Sequence, residues 1–231
     1  MLFAGLQKLT LLDYPGHVAC TLFTQGCNLR CPYCHNASLL DALRAPENPL
    51  LGEDVLAFLY KRRGTLDGVC ITGGEPLMHD EIREFIEHVR AMGFLVKLDT
   101  NGFYPDRLRH LIDAGLLDMV AMDVKNSPER YGKTVGIPHI DITPVRESVA
   151  LLKENKIPYE FRTTVADELH TAEDMAAIGA WLAGDMLYYL QPYRESESVL
   201  HKGLHAPSAQ KLSSFLEILH PYVPLASVRG Q

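Results

Sequence analysis

The stretch Val18-Ala-Cys-Thr-Leu-Phe-Thr-Gln-Gly-Cys27-Asn-Leu-Arg-Cys31-Pro-Tyr-Cys34-His-Asn36 sets a short β-branched and aromatic run directly before a loop with three thiols. Val18–Thr24 reads as a strand, so the thiols sit at its carboxyl end. Three residues separate the first pair and two the second. Thiolates are soft ligands that suit iron–sulfur clusters, zinc and copper(I). Three of them leave a four-coordinate site one ligand short. On a [4Fe–4S] cube, three cysteines hold three irons and leave one open, whereas electron-transfer proteins usually close the cube with four. An open iron points to a further ligand. Other readings of the loop remain. A structural zinc site has His35 at hand, but His35 follows Cys34 directly, and zinc ligand pairs are normally separated by two or more residues. Cys31-Pro-Tyr-Cys34-His35 also has the form of a haem attachment site. That chemistry belongs to exported chains, and Met1–Thr10 lacks the basic start and long apolar run of an export signal.

Outward from this loop the chain alternates. Glu53–Arg63 carries Val55, Leu56, Phe58 and Leu59 on one helical face, and Asp67–Thr72 is the next apolar strand. Helix Glu81–Met92 leads to strand Phe94–Asp99, and helix Asp106–Ala114, stopped by Gly115, leads to strand Leu117–Val124. Thr143-Pro144 reads as an N-cap with Pro at the first helical position, opening a helix to about Asn155. Strand Tyr159–Val165 follows. Thr171-Ala-Glu-Asp174 resembles a capping box and opens a helix that stops at Gly184, before strand Met186–Gln191. Helix Ser208–His220 and a short strand Val223–Val228 complete the pattern. Leu6–Pro15 is a lead-in, and Asp13-Tyr-Pro-Gly16 is a turn. Six strand–helix units in strict alternation imply an α/β fold with a parallel sheet and right-handed crossovers. A closed eight-unit barrel takes ~250 residues, so six units predict a partial (βα)6 TIM-like barrel, open on one side. A doubly wound open sheet is the alternative. Residues 1–231 are expected to form a single domain, with a core over about 16–195 and a C-terminal helix and strand in 196–231.

Composition narrows the function. Hydrophobic residues make up 47% and charged residues 22% of the 231, as in ordinary globular domains. A net charge of −7 without a basic cluster argues against nucleic-acid binding. No apolar run approaches the ~20 residues that span a bilayer, so no membrane association and a cytoplasmic location are expected. Five cysteines in such a chain argue for thiols over disulfides. Cys20 and Cys70 lie in apolar strands and read as core.

In parallel α/β folds, chemistry sits beyond the carboxyl ends of the strands. There the sequence places the cysteine loop, Gly73-Gly-Glu-Pro76, Asp99-Thr-Asn-Gly102, Met122-Asp-Val-Lys125, Arg162 with Thr163-Thr-Val165, and Gln191-Pro-Tyr-Arg194. Any one of these is equally a turn or, for Asp123 and Lys125, a surface ion pair. Six on one rim point to a shared site. Asp123 and Lys125, two apart, share a strand face. Arg162 stands in an apolar strand and needs a buried partner or a ligand carboxylate. His170, His201, His205 and His220 show no metal spacing.

Cys27-x-x-x-Cys31-x-Tyr33-Cys34-His35-Asn36, Gly73-Gly-Glu-Pro76, Asp99-Thr-Asn-Gly102 and Asp123-x-Lys125 together resemble the glycyl-radical-enzyme activases of the radical S-adenosylmethionine (SAM) superfamily. Leu11-Leu-Asp-Tyr-Pro-Gly16 and Phe23-Thr-Gln-Gly-Cys27 bring the likeness closer to the activating proteins of anaerobic ribonucleoside-triphosphate reductase. The resemblance implies a radical SAM core in which Cys27, Cys31 and Cys34 ligate a [4Fe–4S] cluster and SAM chelates the open iron. It implies that Gly73, Gly74 and Glu75 receive the SAM amino group, that Lys125 pairs with its carboxylate, and that Thr100 and Asn101 hold the ribose. Tyr33 and His35 would flank the adenine, and Arg162 is a further carboxylate candidate. Asp99, Asp123 and the Met122 carbonyl resemble the oxygen cage of a monovalent cation in related activases. The implied activity is reductive cleavage of SAM and formation of a glycyl radical on a partner enzyme, with a flavodoxin- or ferredoxin-type electron donor. The alternatives are a formate-lyase type activase and a small-molecule radical SAM enzyme. Formate-lyase activases carry a His where this chain has Arg194. Asp13–Gly16 is expected to line the open side through which a glycine loop is admitted.

Overall fold

The computed structural model describes residues 1–43, 46 and 48–230. Nine strands form one sheet: β1 (Leu2–Thr10), β2 (Ala19–Thr24), β3 (Leu50–Leu51), β4 (Gly68–Gly73), β5 (Leu95–Thr100), β6 (Met119–Asp123), β7 (Tyr159–Val165), β8 (Leu187–Pro192) and β9 (Ala226–Val228). The helices are α1 (Gly52–Lys61), α2 (Ile82–Ala91), α3 (Pro105–Asp113), α4 (Tyr131–Thr134), α5 (Thr143–Lys153), α6 (Ala172–Leu182) and α7 (Ala209–Leu219). The strand order is β3-β1-β2-β4-β5-β6-β7-β8-β9. From β2 through β9 every pairing is parallel, while β1 runs antiparallel to β2 and β3 antiparallel to β1. The order has two ends and does not close, so the six expected units form an open partial barrel, with β9 as a seventh parallel strand.

The strands alternate by face, as two-residue periodicity requires. Val96, Leu98 and Val120 are fully buried. They lie on the apolar face that packs with the helices, whose own core positions include Ile82, Phe85, Ile86 and Val89 on α2. The intervening residues Lys97 and Asp99 on β5, Asp123 on β6, and Glu160 and Arg162 on β7 face the other way and pair with one another or with partners across the barrel. That inner face is polar, and it carries the site.

Three expectations need correction. The lead-in is a strand, β1, whose pairing with β2 slips register around Gly5 and again before Thr10. Gly5 and the uneven polarity of Leu2–Thr10 obscure the alternation that marks a strand. Thr143 is not the cap of α5; Ile142 is, and Pro144 sits within the first turn, where its missing N–H costs nothing. Asp13–Gly16 does not line the catalytic rim. Because β1 is antiparallel to β2, this turn falls at the amino end of β2, on the opposite rim, where Tyr14 is buried against Gly68. The capping box on α6 is present: Thr171 Oγ1 accepts from Asp174 N, and the Asp174 carboxylate accepts from Thr171 N.

The C-terminal strand is locked to the barrel by an ion pair between a partly exposed arginine and a buried glutamate. Arg229 donates to both carboxylate oxygens of Glu160, at 2.6 and 2.7 Å, and its guanidinium lies 3.5 Å above the Tyr189 ring. Glu160 is 1% exposed. Removing one member of a buried pair strands the other charge and costs ~3–5 kcal/mol. Arg229→Ala is expected to destabilise the chain by about that amount in anaerobic urea denaturation, and adding Glu160→Gln should restore much of the loss.

Candidate active site

Three strand tips are stitched together by backbone and by one carboxylate. Gly74 N donates to Thr24 O at 2.9 Å and Glu75 N to Gly26 O at 2.8 Å, so the loop after β4 crosses directly over the start of the cysteine loop. A Cβ on Gly74 would lie 1.9 Å from Gly26 O, and one on Gly73 would lie 2.2 Å from Thr24 N. Only glycine permits this approach. The cysteine loop is anchored further by Gly26 N to Leu39 O (2.6 Å), Cys27 N to Leu40 O (3.2 Å) and Arg30 N to Val135 O (3.0 Å).

Cys27, Cys31 and Cys34 line one cavity together with Tyr33, His35, Gly73, Gly74, Asp99, Thr100, Asn101, Asp123, Lys125 and Arg162. Of the residues that the resemblance gives to the cluster and to SAM, all line this cavity except Glu75. Glu75 is fully buried behind the wall, where its carboxylate accepts from Leu77 N (3.0 Å), Thr100 Oγ1 (2.9 Å) and Asn101 N (2.7 Å). Burial pushes this carboxyl up to about 7, against the pull of those donors. Its side chain therefore braces Thr100 and Asn101 from behind and is not free for an amino group. Asn101 in turn donates to Asn28 Oδ1 at 2.8 Å, tying the tip of β5 to the cysteine loop.

Burial pushes the Cys27 thiol up to about 11 and Cys31 up to about 12, and raises Cys34 as well. Uncoordinated, these thiols keep their protons at neutral pH, and only an adjacent cationic centre would deprotonate them. Among the described residues, no three His, Cys, Asp or Glu side chains converge on a single ion. The three thiols line one cavity, and three thiolates on a cube leave one iron open. The Tyr33 hydroxyl is buried beside this cavity without a hydrogen-bond partner among the described residues. His35 packs on buried Tyr193, ring centroids 5.6 Å apart. Arg194 does not line the cavity; it is exposed and donates to Gly230 O.

Under the cavity lies a charge network. Asp99 accepts from Lys97 Nζ and from Arg162 Nη1 (3.2 Å), and Asp123 accepts from Arg162 Nε (3.0 Å) and Lys125 Nζ (2.9 Å). Lys125 and Arg162 line the cavity together with both carboxylates, while Lys97 lies buried behind them. Lys125 is held by its backbone: its carbonyl accepts from His170 Nε2 at 3.0 Å, while His170 Nδ1 accepts from Ala166 N at 3.2 Å. Burial holds His170 below its usual value, which keeps the ring neutral in that tautomer. The sequence reading missed Lys97, Asn28 and His170. Lys97 could have been found, since a lysine two residues before Asp99 in an apolar strand repeats the Asp123–Lys125 pattern. Asn28 and His170 act through contacts that cross the chain and leave no local signal.

Residues 21–178, more than half of the chain, match the family model of the radical SAM superfamily, and the chain belongs to that superfamily. Membership implies a [4Fe–4S] cluster and SAM. The chain is 30% identical over 236 residues to a Methanocaldococcus jannaschii protein provisionally named a glycyl-radical enzyme activating enzyme, covering 99% of this chain and 95% of that protein. It is 34% identical over 190 residues to a 7-carboxy-7-deazaguanine synthase of Methanopyrus kandleri, covering 74% and 72%. A crystal structure of a domain of pyruvate-formate lyase-activating enzyme from Bacteroides vulgatus superposes with a TM-score of 0.58 at 19% identity, over 71% of this chain and 99% of that one. At that identity the likeness is one of fold. Among the described residues no helix is long and apolar enough to cross a membrane.

Burial pushes the Asp123 carboxyl up, but Arg162 and Lys125 outweigh it and hold the group at about 2. An unfolded Asp titrates near ~3.9, so this stabilisation is complete above about pH 4 and is lost as the pH falls towards 2. Asp123→Asn is expected to lower stability at neutral pH and to flatten the acid limb between about pH 4 and 2, as read by anaerobic urea titrations across that range.

Proposed function

We propose that this chain is a radical SAM activase that generates a glycyl radical on a partner enzyme, most closely an anaerobic ribonucleoside-triphosphate reductase. The observation that carries it is the convergence of three loop thiols, a glycine-lined wall and a net positive network into one cavity at the strand tips. Cys27, Cys31 and Cys34 hold the [4Fe–4S] cluster. Lys125 takes the SAM carboxylate, Gly73 and Gly74 present backbone to the amino group, Thr100 and Asn101 hold the ribose, and Tyr33 and His35 bound the adenine. When bound, the cluster supplies one electron and SAM supplies the fragment that removes a hydrogen atom from a glycine Cα. The chain's part is to orient the sulfonium, fix the carboxylate and exclude water and oxygen.

The choice of an activase rests on the near full-length match to the Methanocaldococcus jannaschii protein. The choice of reductase rests on Phe23-Thr-Gln-Gly-Cys27 and Leu11-Leu-Asp-Tyr-Pro-Gly16. Arg194, turned away from the cavity, supplies nothing in place of the His of formate-lyase activases. A barrel left open along one side leaves room for a polypeptide substrate. A flavodoxin- or ferredoxin-type protein is the electron donor in this reading. The match to the Methanopyrus kandleri synthase favours one second reading, a small-molecule radical SAM enzyme.

Anaerobic incubation of the reconstituted protein with SAM, reductant and the reductase subunit is expected to give a glycyl radical doublet in electron paramagnetic resonance and 5′-deoxyadenosine in the supernatant. Cys31→Ser should abolish both. SAM cleavage without a doublet on any glycyl radical enzyme would move the assignment to the second reading. No cleavage at all would overturn both.

A further inference from the structure

Each of the four carboxylate oxygens of Asp99 and Asp123 accepts from a side-chain cation. Asp99 Oδ1 accepts from Lys97 Nζ, and its Oδ2 from Arg162 Nη1 at 3.2 Å. Asp123 Oδ1 accepts from Arg162 Nε at 3.0 Å, and its Oδ2 from Lys125 Nζ at 2.9 Å. The Arg162 guanidinium is therefore shared between the two aspartates and spans the tips of β5 and β6. Its side chain is only 13% exposed, and those of Asp99 and Asp123 are 15% and 27% exposed. The oxygen cage implied by the family resemblance does not fit here. A sodium or potassium ion needs several oxygens turned towards it, and every one of these carboxylate oxygens already gives one lone pair to an N–H donor. Such an ion would also stand beside a guanidinium and two ammonium groups, and like charges at contact distance repel strongly once partly desolvated.

The register of β7 explains why Arg162 is available. Glu160, two residues earlier on the same face, is satisfied by both guanidinium nitrogens of Arg229. Arg162 thus has no claim from its own strand and reaches across to Asp123, its partner in the β6–β7 register, and on to Asp99. A planar fork that cannot be deprotonated suits this bridging role in a way that an ammonium would not.

We propose that Arg162 is the resident cation of this site, a tethered guanidinium that does what a monovalent metal ion would do between Asp99 and Asp123, so that this protein binds SAM without sodium or potassium. The inference rests on the SAM-binding reading of the cavity. In this role Arg162 is a positioning residue, which sets Asp123 and through it Lys125.

The test compares holoenzyme in potassium, sodium and choline chloride at equal ionic strength. SAM affinity is followed by isothermal titration calorimetry. In a parallel arm without SAM, retention of radiolabelled rubidium is measured by equilibrium dialysis in the choline buffer. Wild-type affinity is expected to vary by less than about twofold among the salts, since screening is matched, and rubidium retention to stay at background. Arg162→Ala is expected to lose about tenfold or more in SAM affinity in choline, to recover part of it in potassium, and to retain rubidium stoichiometrically. Arg162→Lys, which keeps one charge but cannot bridge both carboxylates, should fall between and serves if the alanine variant does not fold. The proposal is overturned if wild-type affinity follows potassium, if wild type holds stoichiometric rubidium that Asp99→Asn releases, or if a folded Arg162→Ala protein is as indifferent to salt as wild type. Absence of SAM binding in every salt would sink the SAM reading alone, and the rubidium arm would still decide the role of Arg162.

Discussion

The backbone crossing between Gly74 and Gly26 is the constraint on which the site depends. Two amide hydrogen bonds, Gly74 to Thr24 and Glu75 to Gly26, press the loop after β4 onto the loop after β2. With the chains that close, the residue after the crossing is sealed from water. Glu75 is that residue, and a buried carboxylate is tolerated only with donors around it. The donors come from its own short helical turn and from the tip of β5. One steric fact, that no side chain fits at position 74, thus propagates through Glu75 to Thr100 and Asn101, and from Asn101 back to Asn28 in the cysteine loop. The ring closes on itself. Each tip of β2, β4 and β5 is placed by the other two, so the three thiols are presented by a frame and not by a free loop.

A second layer solves a different problem. On the inner face of the barrel Lys97 is buried and Asp99, Asp123, Lys125 and Arg162 are mostly buried, and desolvating such charges is expensive. Full mutual satisfaction makes it tolerable: each aspartate oxygen has a cation, and Arg162 uses its forked geometry to serve two carboxylates at once. Such a network is stable only when complete, which is why its members come from three adjacent strands at matching depth. Asp123 and Arg162 are direct partners in the β6–β7 register, and Lys97 and Asp99 follow one another on the same face of β5. Parallel register, set by the apolar face that packs on the helices, fixes the electrostatics of the opposite face.

Much of this was legible in the sequence because parallel α/β folds put strand ends in predictable places. The alternation from Val18 to Gln191 located the six strands, and reading only their carboxyl ends collected nearly every residue of the cavity. What escaped had physical reasons. β1 escaped because Gly5 and a slipped register erase its alternation, and with it went the direction of the Asp13–Gly16 turn, which an antiparallel strand sends to the far rim. Glu75 was read as part of the cofactor wall because its motif is contiguous with Gly73 and Gly74. The motif is contiguous in sequence but not in depth, since Glu75 begins a helical turn that carries its side chain inward. Lys97 was not weighed as a partner of Asp99, nor Arg162 as a partner of Asp99 and Asp123. Strand-face arithmetic puts all four on one surface, so the charge balance could have been drawn from the sequence. His170, far along the chain and placed by α6 and its preceding turn, could not.

The balance of charge across the molecule gives the arrangement its sense. The chain as a whole carries −7, yet Lys97, Arg162 and Lys125 outnumber Asp99 and Asp123 by one in the network at and beneath the cavity. A cluster held by three thiolates carries net negative charge, and SAM brings a carboxylate beside a sulfonium and an amino group. In the proposed reading, Lys125 on one side of the cavity and the thiol loop on the other would give the carboxylate and the sulfonium different ends. The third cation, Lys97, is needed to bury Asp99 but lies deepest, 1% exposed, so its charge is felt as balance and not as a ligand. The position of each charge along the barrel axis, set by two-residue steps along β5, β6 and β7, therefore does as much to define the site as the cysteines do.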